Sequence, residues 1–435
     1  MFPNPQSALP LPLRPSLERY RKIAKELVRA CKSEQPESLR AWAQQWVEAL
    51  VQLSGIEFTP QLPVRTRNWA DEVESFARRQ LLAGECMCAL ADAQFVLARS
   101  HGFESWPKFV RHLESLAAGN SSASRFEAAA DAIVSGDAAT LKRLLGEEPE
   151  LVRARSTREH GATLLHYVAA NGVEGYRQKT PLNIVEIAEI LLQAGAEVDA
   201  TADVYGGGCT ALGLGATSVH PEQAGVQEAL LRKLLDYGAA INPISIAGNG
   251  QSLVMACLDN GRPKAAAYLA SQGARYGLVE TAALGQLDRL RSFFDGNATS
   301  QFPPASLETA FLYACQFGPM EVVSFLIQQG VNIAARDRDG QTGLHHAVMG
   351  CNLETVRLMS KYTELLEVVN VYGGTPAGQV LWCAAHDADP DRYIPILDSL
   401  FTAGARLPER HAAISPHVDA WLKERGSVVE PGWSW

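Results

Sequence analysis

The chain has 435 residues, 47% hydrophobic and 20% charged, with 39 Lys and Arg against 48 Asp and Glu for a formal net charge of -9. Such a composition excludes a disordered chain, and the length points to two or three domains or one long repeat array rather than a single ordinary core. The acidic balance, with no continuous basic run, counts against a nucleic-acid partner, and no stretch approaches the roughly 18 apolar residues of a membrane span.

Residues 1–15 are rich in proline and carry no basic segment followed by an apolar run, so no signal peptide is evident and an extended or disordered start is expected. The eight cysteines are scattered singly apart from Cys86-Met87-Cys88, which predicts neither a zinc site nor a disulfide framework. Cysteine usage of this kind implies a reducing, cytoplasmic setting.

A helical module is predicted over 16–118. Ser16 can cap a helix carrying Leu17, Tyr20, Ala24, Leu27 and Cys31 at helical spacing. A second begins near Pro36, where Leu39, Trp42, Trp46 and Leu50 form one apolar stripe. Further helices are expected around Trp69 to Leu82 and Cys88 to Ser100, and Ser105 with Pro107 starts another. The polar run at 119–124 reads as a linker, 125–408 as a repeat array, and 409–435 as a capping helix and tail.

The array declares itself by spacing. Gly285, Gly318, Cys351 and Ala384 stand 33 residues apart, each expected to close the first helix of a helix-turn-helix unit. Gly161-Ala162-Thr163-Leu164-Leu165-His166 and Gly340-Gln341-Thr342-Gly343-Leu344-His345 start two units, and Gly195-Ala196, Gly238-Ala239, Gly273-Ala274, Gly330-Val331 and Gly404-Ala405 close five second helices. These segments resemble the ankyrin repeat, whose consensus turn is T-P-L-H; Leu164 and Gly343 replace its proline. The segment His101-Gly102-Phe103-Glu104-Ser105-Trp106-Pro107 is similar to a helical module that precedes ankyrin arrays in some bacterial proteins. The resemblance implies an all-α fold, an ankyrin-repeat solenoid preceded by a small helical N-terminal domain. It also implies that His166 and His345 brace neighbouring turns by hydrogen bonds.

Three units depart from the consensus distance between helix closures: Gly172 to Gly195, Val219 to Gly238 and Ala384 to Gly404 all carry inserted residues, where function often sits. The inserts hold Glu174, Tyr176, Arg177, Gln178, Lys179 and Thr180; Ser218, His220, Glu222 and Gln223; and His386, Asp387, Asp389, Asp391 and Arg392. Two related fingers, Val204-Tyr205-Gly206-Gly207-Gly208 and Val371-Tyr372-Gly373-Gly374, precede units in which Gly213 and Gly378 replace the turn histidine. Glycine there would loosen the turn and admit a ligand or another backbone.

Repeat register places Tyr167, Asn171, Asp259, Asn260, Tyr313, Phe317, His346 and Trp382 on a concave stripe, rimmed by Tyr205, Asn249, Arg336, Arg338 and Tyr372. Rings and amides together suit recognition of a protein or peptide, or of a small polar ligand. No metalloprotease or nucleophile-elbow motif occurs, Gly248-Asn249-Gly250 is no phosphate loop, and the Asp387, Asp389, Asp391 alternation breaks at Arg392 where a calcium loop needs glycine. No cofactor and no metal are called for. The sequence therefore favours a non-enzymatic binding scaffold for a protein or peptide on its concave face. The alternative is an enzyme or small-molecule receptor between fingers and inserts, in which Tyr205, Arg177 and Lys179 would surround His220 as acid or base.

Overall fold

A computed structural model describes residues 4–56, 62–82, 88–242, 251–294, 302–430 and 432–433. The chain packs as two compact units, Met1–Leu269 and Ala270–Trp435. Among the described residues it is built almost wholly of helices, the class expected from the sequence.

The first unit begins with five helices, α1 (Leu17–Cys31), α2 (Ser38–Ser54), α3 (Leu62–Leu81), α4 (Leu90–Ser100) and α5 (Trp106–Ala117). Their apolar stripes bury Tyr20, Trp42, Trp46, Phe76 and Phe109 in one core, which Phe103 joins from the turn between α4 and α5. His101 belongs to it: its ring stacks on Phe109 at 5.1 Å, and its Nδ1 faces the Leu9 carbonyl at 3.1 Å. Residues 4–13 are thereby tied down rather than loose. Leu9 is fully buried and its N–H donates to the Ser100 carbonyl, while the Leu13 N–H donates to Leu53.

Cys31 and Cys88 form a disulfide, which corrects the expectation of unpaired cysteines. The end of α1 and the turn before α4 meet because α1 packs on α4, a proximity that a sequence separation of 57 conceals. Cys86 and Met87 lie outside the described residues.

Helix pairs follow: α6 (Ser122–Ser135) with α7 (Ala138–Glu147), and α8 (Leu164–Tyr167) with α9 (Ile184–Gln193). Next come α10 (Ala211–Thr217), an extra turn α11 (Val219–Gln223) and α12 (Gln227–Asp236), then α13 (Leu253–Asp259) with α14 (Pro263–Ser271). Each insert folds back as a single helical turn instead of a free loop: Gly175–Arg177 in the first, α11 in the second. The first finger is a hairpin of β1 (Thr201–Ala202) and β2 (Cys209–Thr210), antiparallel in register Ala202 to Cys209. Positive φ at Tyr205 and at Gly206, Gly207 and Gly208 makes its tip, where only glycine adopts such angles without steric cost.

The second unit repeats the plan with α15 (Leu278–Ala283) and α16 (Leu287–Ser292), α17 (Pro304–Phe317) and α18 (Met320–Gln328), α19 (Gly343–Met349) and α20 (Leu353–Met359), and α21 (Pro376–His386) and α22 (Ile394–Thr402). It closes with α23 (Pro416–Glu424) beside the short parallel pair β3 (Arg410–His411) and β4 (Val428–Val429). Its core runs through Leu278, Phe311, Val323, Leu344, Val356, Leu381 and Leu397. The 33-residue positions behave unequally: Gly285 and Cys351 follow helix ends in the left-handed region, but α21 runs through Ala384 to His386 and is capped by Asp387.

Candidate functional site

Both turn histidines act as braces. The Thr163 N–H donates to His166 Nδ1 at 3.1 Å, which leaves Nε2–H to donate to the Cys209 carbonyl at 3.2 Å. In the second unit the Thr342 N–H donates to His345 Nδ1, and His345 Nε2 meets the Gly374 carbonyl at 3.2 Å. Each histidine therefore holds the finger of the following repeat. Burial pushes both imidazoles down to about 4, keeping them neutral in this role.

The first insert serves a different purpose from the one its polar residues suggested. Arg158 meets Glu127 at 2.6 Å and Glu174 at 2.9 Å, while Arg177 meets Glu127 at 2.7 Å and Asp131 at 2.8 Å. Burial works to raise the Glu174 carboxyl, but Arg158, the hydrogen bond with His160, and Arg177 together hold it well below the carboxylate range. Tyr167 is sealed in beside this cluster, its hydroxyl 3.4 Å from Glu174 and its ring against Phe126. The structure thus corrects two expectations: Tyr167 offers no surface to a ligand, and Arg177 is committed to ion pairs instead of substrate. Of the missing halves, Glu127 stands beside an alanine run, but Arg158 lies in the polar run Ser156 to His160 and carries no local signal of burial.

Within the first unit a cleft of about 530 Å³ opens between the repeats and the N-terminal segment. Asn171, Tyr205, Thr217, Ser218, His220, Asp259 and Asn260 line it, joined by Gln6, Gln178, Gln251 and Arg262. Lys179 is exposed and stands outside this lining, so Tyr205 and His220 meet without the two cations of the catalytic reading. Tyr205 donates to Asn171 Oδ1 at 2.7 Å, and Asn171 Nδ2 in turn donates to Thr217 at 3.2 Å. The Gln6 amide donates to the Tyr205 hydroxyl and to Asn171 Oδ1, so the N-terminal segment forms part of the wall. No local signal in the sequence places Gln6 there.

Gly213 and Gly378 admit no close neighbour. A Cβ at either would meet a threonine hydroxyl at 3.6 Å, ordinary contact, and each glycine N–H instead caps its helix by donating to Thr210 or Thr375. Asn249 and its flanking glycines lie outside the described residues.

In the second unit His346 is buried, its Nε2 3.1 Å from Asp337 and its Nδ1 3.0 Å from Gln316, so it fixes a turn and is closed to a ligand. Tyr313 and Phe317 are half-buried, with ring centroids 6.2 Å apart. Trp382 is 50% exposed and stacks on His386 at 4.4 Å, and Tyr372 at the second finger tip is 77% exposed. Asp387 accepts from Tyr393, and Asp391 from Ser415 and faces His417, so the acidic insert residues are taken up by their own surroundings.

The paired helices, closing glycines and histidine-braced fingers agree with family comparison. A model of the ankyrin repeat matches residues 160–203, and a model of multiple ankyrin repeats matches 282–359. Over these two segments the chain matches ankyrin repeats. A putative ankyrin repeat protein of Acanthamoeba polyphaga mimivirus is 34% identical over 79 residues, which span 18% of this chain and 19% of that protein. Among solved structures, the human ASB11 ankyrin repeat domain overlays with a TM-score of 0.34 at 17% identity, covering 64% of this chain and 99% of that one. The ankyrin repeat domain of Bcl-3, of the IkappaB protein family, gives 0.30 at 18% identity, covering 63% and 97%. Neither overlay is close. Among the described residues no helix is long and apolar enough to cross a membrane.

Proposed function

We propose that this chain is a protein-interaction scaffold whose ankyrin repeats engage an extended polypeptide segment through the outward side of their first helices and finger tips. The observation that carries it is the exposure of Trp382 and Tyr372 on well-braced supports. Large aromatic surface left in water is costly unless a partner covers it, and rigid rings lose little entropy when they are covered. The Tyr372 finger is held by His345 through Gly374 and by Asn370, which accepts from the Tyr372 and Gly374 N–H groups. The cytoplasmic setting inferred from cysteine usage loses that support, since disulfides persist in oxidising surroundings.

The test is selection of displayed random peptides on the full-length chain, followed by affinity measurement against Trp382→Ala with Tyr372→Ala. Selected peptides should bind the variant at least about tenfold more weakly, the cost of roughly 1.4 kcal/mol. Equal binding to the variant, or no enrichment, sinks the reading.

A second reading rests on the cleft of the first unit. Its volume lies in the range of small-molecule sites, and several directed hydrogen-bonding groups converge on it. On this reading the same chain also holds a small polar ligand.

A further inference from the structure

Positive charge is unevenly placed in this chain. Residues 14–32 hold seven Lys and Arg against Glu18 and Glu26, a net charge of +5 in a chain whose total is -9, which leaves -14 for the rest. All seven cations are exposed. Helix α1 buries Tyr20, Ile23, Ala24 and Leu27 on one side, and the helical period sets Lys22, Lys25, Arg29 and Lys32 in a row on the other. Lys22 pairs with Glu26 at 3.8 Å; among the described residues none of the other six cations has a carboxylate partner. Arg19 and Lys22 share a groove of about 370 Å³ with Gln45 and Ala49, so no carboxylate reaches them from α2. Helix stability does not explain the row. Arg19 stands in the first turn, where the helix dipole disfavours a cation.

Two leucines stand in water at the N-terminal end of this row: Leu13 is 78% exposed and Leu53 39%. Leu13 is held in place. Its N–H donates to the Leu53 carbonyl at 2.9 Å, and its side chain lies over Gly55, where a Cβ would come within 3.2 Å of it. Leu53 and Arg19 line the same small cavity, so the apolar tip adjoins the basic row.

Nucleic acid, an acidic polypeptide and an anionic bilayer all carry the charge that such a row attracts. On a phosphate backbone the two leucines would stay in water, and Trp42 and Trp46, the rings of the adjoining groove, are buried and offer no face for base stacking. Protein interfaces are depleted in lysine, which supplies three cations here. A bilayer with anionic headgroups uses both features: the cations meet the headgroups, and the exposed leucines enter the apolar boundary beneath them.

We propose that the outer face of α1 docks on an anionic phospholipid bilayer, with its Lys and Arg side chains among the headgroups and Leu13 and Leu53 dipping below them. The helix lies along the surface, its apolar side remaining in the protein core. This inference is independent of the peptide and cleft readings above.

The full-length chain is mixed with vesicles of phosphatidylcholine alone and of phosphatidylcholine with about 30% phosphatidylserine, and bound protein is measured by flotation. Affinity for the serine-containing vesicles should be at least about tenfold higher and should fall as salt is raised. Arg21→Glu with Lys25→Glu and Arg29→Glu should remove the preference without breaking an ion pair, whereas Lys264→Glu with Lys361→Glu and Lys423→Glu, an equal change of net charge outside α1, should leave it intact. Leu13→Ser should weaken vesicle binding at least about threefold. Thermal melting checks that each variant is folded. Equal affinity for the two kinds of vesicle, or equal loss in the two triple variants, overturns the docking face. Leu13→Ser binding vesicles as tightly as the native chain, or duplex DNA or polyglutamate displacing the chain from vesicles at equal anionic charge, overturns the bilayer as its occupant.

Discussion

His166 Nε2 lies 3.2 Å from the Cys209 carbonyl oxygen, so a buried imidazole of one repeat carries the finger of the next. Replacing His166 by alanine orphans that carbonyl and the Thr163 N–H, at a cost of roughly 1–3 kcal/mol for each buried group left unpaired. Hydrogen exchange at residues 201–210 should accelerate while exchange in α1 to α5 stays as it was. Unchanged protection of the finger would mean that the brace contributes nothing.

The same neutral histidines make stability sensitive to acid. His166 and His345 are held at about 4, below the ordinary 6.5, so in the window between them the unfolded chain takes up protons that the folded chain refuses. The destabilisation from these two histidines should be absent above pH 6.5, grow as the pH drops toward 4 and grow no further below that, where protonation of buried carboxylates such as Glu174 continues the loss. Each group contributes at most about 1.4 kcal/mol per pH unit. Urea midpoints compared at pH 7.5 and 5 check the direction; a midpoint higher at pH 5 contradicts it.

Glu174 sits among Arg158, Arg177 and His160 with no exposure of its side chain. Glu174→Gln leaves two buried guanidiniums short of a counter-charge and should cost about 3–5 kcal/mol, since removing one partner of a buried pair strands the other. Chemical denaturation of the full chain measures it. A loss below about 1 kcal/mol would show the cluster to be tolerant of the missing charge.

Gly350 is forced by packing. A Cβ there would fall 1.8 Å from the Gln316 carbonyl oxygen, a backbone atom of α17 that cannot swing away. Gly350→Ala should push α19 from α17 and destabilise by more than about 3 kcal/mol, the upper end of ordinary overpacking. Gly373→Ala is the comparison, because nothing lies within 4 Å of its Cβ position and only its φ of 80° opposes substitution. Equal melting temperatures for the two variants would count against the contact.

The Cys31–Cys88 disulfide closes a loop of 57 residues. Its reduction should lower the stability of the N-terminal helices by about 4 kcal/mol on the loop-entropy relation. Melting followed by tryptophan fluorescence, with and without reductant, reads this through Trp42 and Trp46. Identical curves would show that the bond does not stabilise the folded helices.

The repeat spacing, the Thr-Leu-Leu-His and closing-glycine signals and the stripe Leu39, Trp42, Trp46 and Leu50 were enough to read an all-α chain of helix pairs, because capping and helical periodicity are local properties of the backbone. Asn171, Asp259 and Asn260, which repeat register places on one stripe, all line the cleft of the first unit. Tyr167 and His346, at comparable positions, are instead buried, Tyr167 beside Glu174 and His346 between Asp337 and Gln316.

What tertiary structure alone decided are the contacts between segments remote in sequence. Gln6 against Tyr205, Cys31 against Cys88, and Arg177 against Glu127 each depend on how whole helices pack, and pairing at such distances leaves no periodic trace. Local pattern therefore determined which helices form and which way their faces point. The meeting of charges and amides across those faces, which makes one insert a buried brace and another the wall of a cleft, was settled by packing, where burial and pairing set the energy of each polar group.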